Sequence, residues 1–291
     1  MNGSLRVRHR ILQSPVVRFE NPRTGRSVTV VATSHTGSAD YYEQLRAVIN
    51  EMEAAGAVVC LEGVGSASEQ ELAGASGEER AALGLYQASR APAPELSLAA
   101  CRYLGWVDQS AALGSSPTWR NADMTKLELV RQAGPQNLLS LHVPGDEFTR
   151  MTHDRQEAFA AGGYAIAVRL AQYSWLNDSF LSLLARLVGD AHRRLQDVEV
   201  EGRNSHVLAS LPADSDAVLP WGAGHMRGLA RGLRQAGYRR RETTWVTVGR
   251  LPAIWTSIKL LSTGLRALWV ALDAPDDNAP SWRSDGGGKD Y

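Results

Sequence analysis

An α/β fold around a central mixed, mainly parallel sheet is what the sequence predicts, and three features predict it. The run "AVVCLEGV" at 57–64 is short and almost wholly apolar, as a strand buried on both faces must be. Strand-like and helix-like patterns alternate near both ends of the chain, which gives two βαβ-like halves. Between those halves, from about 66 to 211, the pattern is largely helical, as expected for an insertion. The chain has 291 residues, 44% of them hydrophobic, enough for one large α/β core. The polar and Gly-rich gaps are too short to separate two cores, so residues 1–272 read as a single domain.

The elements follow in order. Residues 15–20 and 27–33 are strand-like, and "NPRTGR" between them has hairpin turn chemistry. Ser38 or Asp40 then caps a helix in which Tyr42, Leu45, Val48, Ile49 and Met52 recur at helical spacing, and Gly56 ends it. The strand at 57–64 completes the first half. Residues 66–80 read as a loop or weak helix, with helices expected at about 79–89 and 94–104. "WRNADMTKLELV" (119–130) starts irregularly and enters a helix. The pattern is helical from about 155 to 195, and one more helix is expected over 198–211, stopped by Pro212. In the second half "AVLPWG" is a strand, Met226, Leu229, Ala230 and Leu233 make an apolar helical stripe, Gly237 stops that helix, and "TTWVTV" is a closing strand.

Composition excludes some classes of function. Lys+Arg and Asp+Glu are equal at 31 each, so no global charge favours nucleic acid. The run Arg239–Arg241 is read as a solvated loop or strand edge. The two cysteines, Cys60 and Cys101, provide neither a disulfide framework nor zinc-knuckle spacing. The N-terminal stretch has basic residues but no continuous apolar segment, which predicts a cytoplasmic protein.

Three residues stand where an α/β sheet binds ligands, beyond the carboxyl ends of its strands. His35 ends the strand of "VVATSH", Glu62 ends the strand at 57–64, and His225 follows "AVLPWG" in "LPWGAGHMRGL". Two imidazoles and a carboxylate match a common ligand set for a divalent transition metal. The plainer reading is two histidines at helix starts and a surface glutamate. Gly222 and Gly224 let the backbone before His225 turn sharply and approach a ligand. Arg203 occupies the inward slot between Val200 and Val207 on the 198–211 helix, where an apolar residue is expected. It either makes a salt bridge to a carboxylate at a helix end or clamps a substrate carbonyl or Glu62. Asn204 follows on the same turn as a ligand-orienting group. Asp123 in "NADM" is an N-cap, a fourth ligand, or a residue that contacts a ligand from behind. No nucleophile elbow, P-loop or dinucleotide fingerprint appears.

Taken in order, "ATSH" with "LEGV", then "WRNADMT", "GRNSHVLASL" and "LPWGAGHMRGL" resemble the TraB/GumN/Tiki family over about residues 27–248. The matching positions are His35, Glu62, Arg203, Asn204 and His225. The first motif has Ala32 where the family has Gly. The wider superfamily includes erythromycin-esterase-like hydrolases and a haem-binding lipoprotein, and the animal Tiki members look like proteases using manganese or cobalt. The resemblance therefore implies a metal-dependent, peptidase-like hydrolase holding Mn, Co or Zn. His35, Glu62 and His225 would hold the ion, Glu62 would be the base if it is not a ligand, and Arg203 would steady the oxyanion. TraB-type bacterial members look like regulators of peptide-pheromone signalling, which implies a second reading: binding a peptide without cleaving it. A third is an esterase-like reaction with a histidine base and no metal. Expected partners are a peptide or small-molecule substrate and no nucleic acid.

The stripe Ile254, Ile258, Leu261, Leu265, Leu268 and Leu272 predicts an amphipathic helix over 251–272. It is expected to pack on the domain or form a homodimer face, with peripheral membrane contact through Trp255 and Trp269 as the alternative. The tail from 273 to 291 has a disordered composition.

Overall fold

The computed structural model describes residues 5–90, 92–139, 152–171 and 190–273. The expectations for the apolar stretch within 172–189 and for the tail lie outside these residues, except that helix continues to Asp273. The fold is α/β, built on a seven-stranded mixed sheet.

The chain enters through β1 (Arg6–Arg8) and turns on His9 and Arg10, both with positive φ, into β2 (Ile11–Glu20). β2 returns as β3 (Ser27–Thr33) through "NPRTGR". Asn21 closes that turn by accepting from the Arg23 N–H at 3.0 Å, and Gly25 takes φ +72° there. A two-residue strand, β4 (Thr36–Gly37), precedes α1 (Ala39–Ala54). Ser38 is the N-cap, accepting from the Tyr41 N–H, and Gly56 leaves α1 with φ +94°. β5 (Val58–Leu61) follows.

Helices dominate the next stretch, as the periodicity predicts: α2 (Glu69–Ala73), α3 (Gly77–Arg90), α4 (Pro92–Leu104), α5 (Gln109–Leu113), α6 (Lys126–Ala133), α7 (Pro135–Leu138), α8 (His153–Ala171) and α9 (Asp190–Asp197). Two short strands interrupt them, β6 (Val107–Asp108), which pairs with β4, and β7 (Arg120–Asn121), which joins the main sheet. Instead of one helix over 198–211, a π-helical turn at Val198–Gly202 runs into α10 (Arg203–Ala209). β8 (Ala217–Gly222), a 3₁₀ turn at Ala223–His225, α11 (Met226–Gln235), β9 (Arg239–Arg250) and α12 (Ile254–Asp273) complete the chain.

The strand order is what builds the site. β8 lies between β3 and β5, parallel to both, with Thr33 opposite Gly222 and Val59 opposite Val218. β7 extends the parallel side beyond β5. On the other side β2 is antiparallel to β3 and to β9. In neither half are the two strands neighbours, because β8 separates β3 from β5 and β9 lies on β2. β9 crosses β3 and β2 to reach the far edge, because β8 is already paired on both sides. Every residue of β3 and β8 is buried. Val30, Leu219, Trp221, Leu229 and, from α1, Tyr41 and Leu45 are each fully buried in the core around them. A smaller cluster joins α3, α6, α7 and α9 through Ala82, Leu129, Leu138 and Leu195.

α12 packs on the domain through α8. A side chain at Gly162 would lie 2.7 Å from the Leu261 nitrogen and 2.9 Å from the Ser257 oxygen, so the two helices touch backbone to backbone. Ser257 is fully buried there, whereas Ile254 and Ile258 are exposed and Trp255 is 79% exposed. The buried side of α12 therefore differs from the predicted stripe at its start. Among the described residues, no helix is long and apolar enough to cross a membrane.

Candidate functional site

Because β3, β8 and β5 are adjacent and parallel, the residues after their carboxyl ends meet at one edge of the sheet. Glu62 follows β5, and its Oε2 accepts from the Gly222 N–H at the end of β8. His225 closes the 3₁₀ turn after β8, with its Nε2 3.4 Å from Glu62 Oε1. A side chain at Gly222 would lie 3.1 Å from Glu62 Oε2, so glycine serves here by letting the carboxylate approach the strand end.

Arg203 joins the two. Its Nη2 donates to Glu62 Oε1 at 2.7 Å, its Nε donates to Asp123 Oδ1 at 2.9 Å, and its Nη1 is 3.3 Å from His225 Nε2. Arg203 therefore pairs both with Asp123, ahead of α6, and with Glu62. The Asp123 side chain is fully buried and also accepts from the Gly63 and Met124 N–H groups. It is not an N-cap. Thr125 caps α6 in a capping box with Glu128. The π turn delivers this geometry. It precedes Arg203 and Asn204 directly, and both neighbours face inward, Arg203 at 9% and Asn204 at 2% exposure.

Asn204 Oδ1 lies 2.9 Å from His225 Nδ1. An amide oxygen only accepts, so Nδ1 carries a proton, and Nε2 faces the carboxylate and the guanidinium. Gly228, one turn into α11, makes room for this amide, because a Cβ there would overlap Asn204. The Asn204 amide nitrogen is buried without a partner among the described residues.

Trp221, which the motif reading passed over, forms the floor. It is fully buried, donates to the Cys60 carbonyl at 3.0 Å, meets the His225 ring edge-on at 5.1 Å and carries the Arg203 guanidinium 5.4 Å above its ring. Its place, four residues before His225 on a fully buried strand, was the available signal.

His35 takes a different position. It follows β3 and lines the same pocket, but its ring is exposed and makes no hydrogen bond among the described residues. Its backbone is firmly placed. The neighbouring Ser34 receives the Tyr42 hydroxyl at its carbonyl, donates its N–H to Tyr41, and pairs its hydroxyl with Tyr164 at 2.7 Å. Ala32 is fully buried within β3, where its methyl group is core. The pocket over the cluster has a volume of about 400 Å³, with Leu5, Val168 and Tyr164 on one wall and Arg90, paired with Glu199, on another.

Burial pushes the Glu62 carboxyl up. The hydrogen bond and charge of His225, the Arg203 charge and the Gly222 N–H outweigh it and hold Glu62 at about 2. Burial lowers the Arg203 basicity, and Asp123 and Glu62 more than restore it, so the guanidinium is held above its ordinary value.

The expected metal ion fits this arrangement poorly. The oxygens of Glu62 and Asp123 are already engaged by Arg203 and backbone N–H groups, His225 Nε2 is next to a guanidinium, and His35 stands outside the cluster. Among the described residues no three His, Cys, Asp or Glu side chains gather as an ion site. No family model, no curated protein and no solved structure matches the chain.

Proposed function

We propose that the chain is a hydrolase of an ester or amide bond in which His225 activates water. The observation that carries this reading is the buried Asn204–His225–Glu62 chain opening on a pocket. The order of motifs resembling the TraB/GumN/Tiki family and its esterase-like relatives supports the same reaction class.

Asn204 holds the Nδ1–H, so Nε2 of the neutral imidazole is the base in this scheme, with Arg203 Nη1 at 3.3 Å and Glu62 Oε1 at 3.4 Å beside it. A water between Nε2 and the substrate carbonyl loses its proton to Nε2 as its oxygen attacks. Glu62 Oε1 then accepts from the new Nε2–H and stabilises the imidazolium. Glu62 itself is a poor base, because a carboxyl held near 2 has little tendency to take a proton at neutral pH. The proton returns from Nε2 to the leaving oxygen or nitrogen as the carbonyl bond breaks. Ala223 and Gly224, at the start of the turn, line the pocket, and their backbone N–H groups are the oxyanion donors in this scheme. Arg203 has its N–H groups directed to Asp123, Glu62, the Glu199 carbonyl and His225 Nε2, and acts as a positioning residue. The apolar wall suits a substrate with an apolar group beside the scissile carbonyl.

The test is turnover of p-nitrophenyl esters of graded chain length and of a quenched-fluorescence peptide library by chelator-treated protein. Hydrolysis should survive chelation and fall about 10²–10⁴-fold in His225→Ala, with the thermal midpoint as a folding control. Full activity in His225→Ala, or no turnover of any probe, sinks the proposal. Saturable peptide binding without cleavage would assign the pocket to a peptide-binding regulator instead.

A further inference from the structure

We infer that the guanidinium of Arg203 is a built-in cation filling a latent divalent-metal site, so the wild-type chain binds no ion at this cluster and loss of Arg203 creates one that does. The inference concerns the same residues as the hydrolase reading but does not depend on turnover.

The Arg203 guanidinium is where the donor set converges. Its Nη2 lies 2.7 Å from Glu62 Oε1 and bonds Asp123 Oδ2, and its Nη1 is 3.3 Å from His225 Nε2. A small cation in its place would meet two carboxylates and an imidazole, the hard-and-borderline set that binds Zn, Mn or Co. Glu62 Oε1 and His225 Nε2 are 3.4 Å apart. That is roughly the edge of a tetrahedron with metal–ligand bonds of ~2.1 Å. The imidazole already has the orientation a ligand needs, since its other nitrogen is tied to Asn204 at 2.9 Å.

What keeps an ion out is charge and space. The guanidinium is permanently cationic and planar, and it satisfies both carboxylates at once. An ion entering beside it would face a like charge and take over acceptors already in use. Both carboxylates are also shielded from water, the Asp123 side chain completely, so loss of the guanidinium leaves them without a compensating cation. Replacing arginine by a short neutral residue leaves that demand unmet, and a divalent ion is the cation that meets it.

The experiment uses the full chain, stripped with chelator and titrated separately with Zn²⁺, Mn²⁺ and Co²⁺, with bound metal and thermal midpoint as readouts. Wild type should retain no ion after dialysis, and its midpoint should not move. Arg203→Ala should melt lower than wild type without ion, take up about one equivalent of ion per chain, and regain several degrees on binding. Adding His225→Ala to Arg203→Ala should weaken that uptake at least tenfold, and Arg203→Lys, which keeps a cation, should bind none. Stoichiometric ion in wild type that is lost in His225→Ala overturns the inference, whatever the variants do. So does a folded Arg203→Ala that takes up no ion. If Arg203→Ala folds only when the ion is supplied, the inference stands. If it folds under neither condition, it fails. An Arg203→Ala that takes up no ion sinks this inference alone, because hydrolysis by chelator-treated wild type is read separately.

Discussion

Gly228 shows how far a single residue controls the site. It sits on α11, two elements after Asn204, and a Cβ there would overlap the Asn204 amide that holds His225 Nδ1. Within a helix, Gly→Ala ordinarily stabilises by roughly 0.5–1 kcal/mol. Gly228→Ala is expected to lose that gain to the clash and to displace Asn204, freeing the imidazole to rotate. A misplacement of ~1 Å at a catalytic group costs about 10²-fold in rate. The expected result is a kcat/KM reduced by about that factor with little change in the thermal midpoint. A variant with wild-type kcat/KM would show that the Asn204 tether is dispensable. The sequence pattern gave Arg203 away, as a charged residue in an inward slot, but not its second partner. Asp123 meets it across 80 residues, and nothing local to "NADM" records that.

At the scale of elements, helix contacts decide more than helix periodicity does. The apolar stripe of α12 predicted its existence, but at its first turns Ser257 faces the domain, while Ile254 and Ile258 face out. The cause lies in α8. Gly162 lets the backbone of α12 approach closely, and only a small residue such as Ser257 fits at that crossing. Gly162→Val should force the helices apart and cost about 1–3 kcal/mol, the range for overpacking a tight contact. Urea unfolding would read this as a lower midpoint with an unchanged slope. No loss of stability would mean that α12 is held elsewhere. The π turn before α10 was equally hidden. Residues 190–209 have a helical pattern throughout, and the extra residue in the turn is selected by the contacts of Arg203 and Asn204 rather than by propensity.

For the whole molecule, the alternation of strand and helix was enough to give the α/β class and to mark His35, Glu62 and His225 as strand-end residues. Their meeting depends on strand order, a long-range property. Only the placement of β8 between β3 and β5 brings Glu62 to His225, and it leaves His35 on the pocket wall. The same placement buries an ionised carboxylate, which links the site to global stability. Glu62 is held at about 2 in the folded chain against an ordinary 4.5. A carboxyl with a depressed folded value contributes its stability above the unfolded value, and that contribution is lost as pH falls through the folded one. The difference corresponds to roughly 3 kcal/mol, present at pH 7 and fading from about pH 4.5 towards 2. Glu62→Gln removes the titrating group and therefore this pH dependence. Urea unfolding of both proteins at pH 7, 4.5 and 3 should give a stability gap that is widest at pH 7 and narrows steadily with acid. A gap of the same size at all three values would mean that Glu62 carries no depressed titration. The contacts of His225, Arg203 and the Gly222 N–H with Glu62 would then not favour its ionised form.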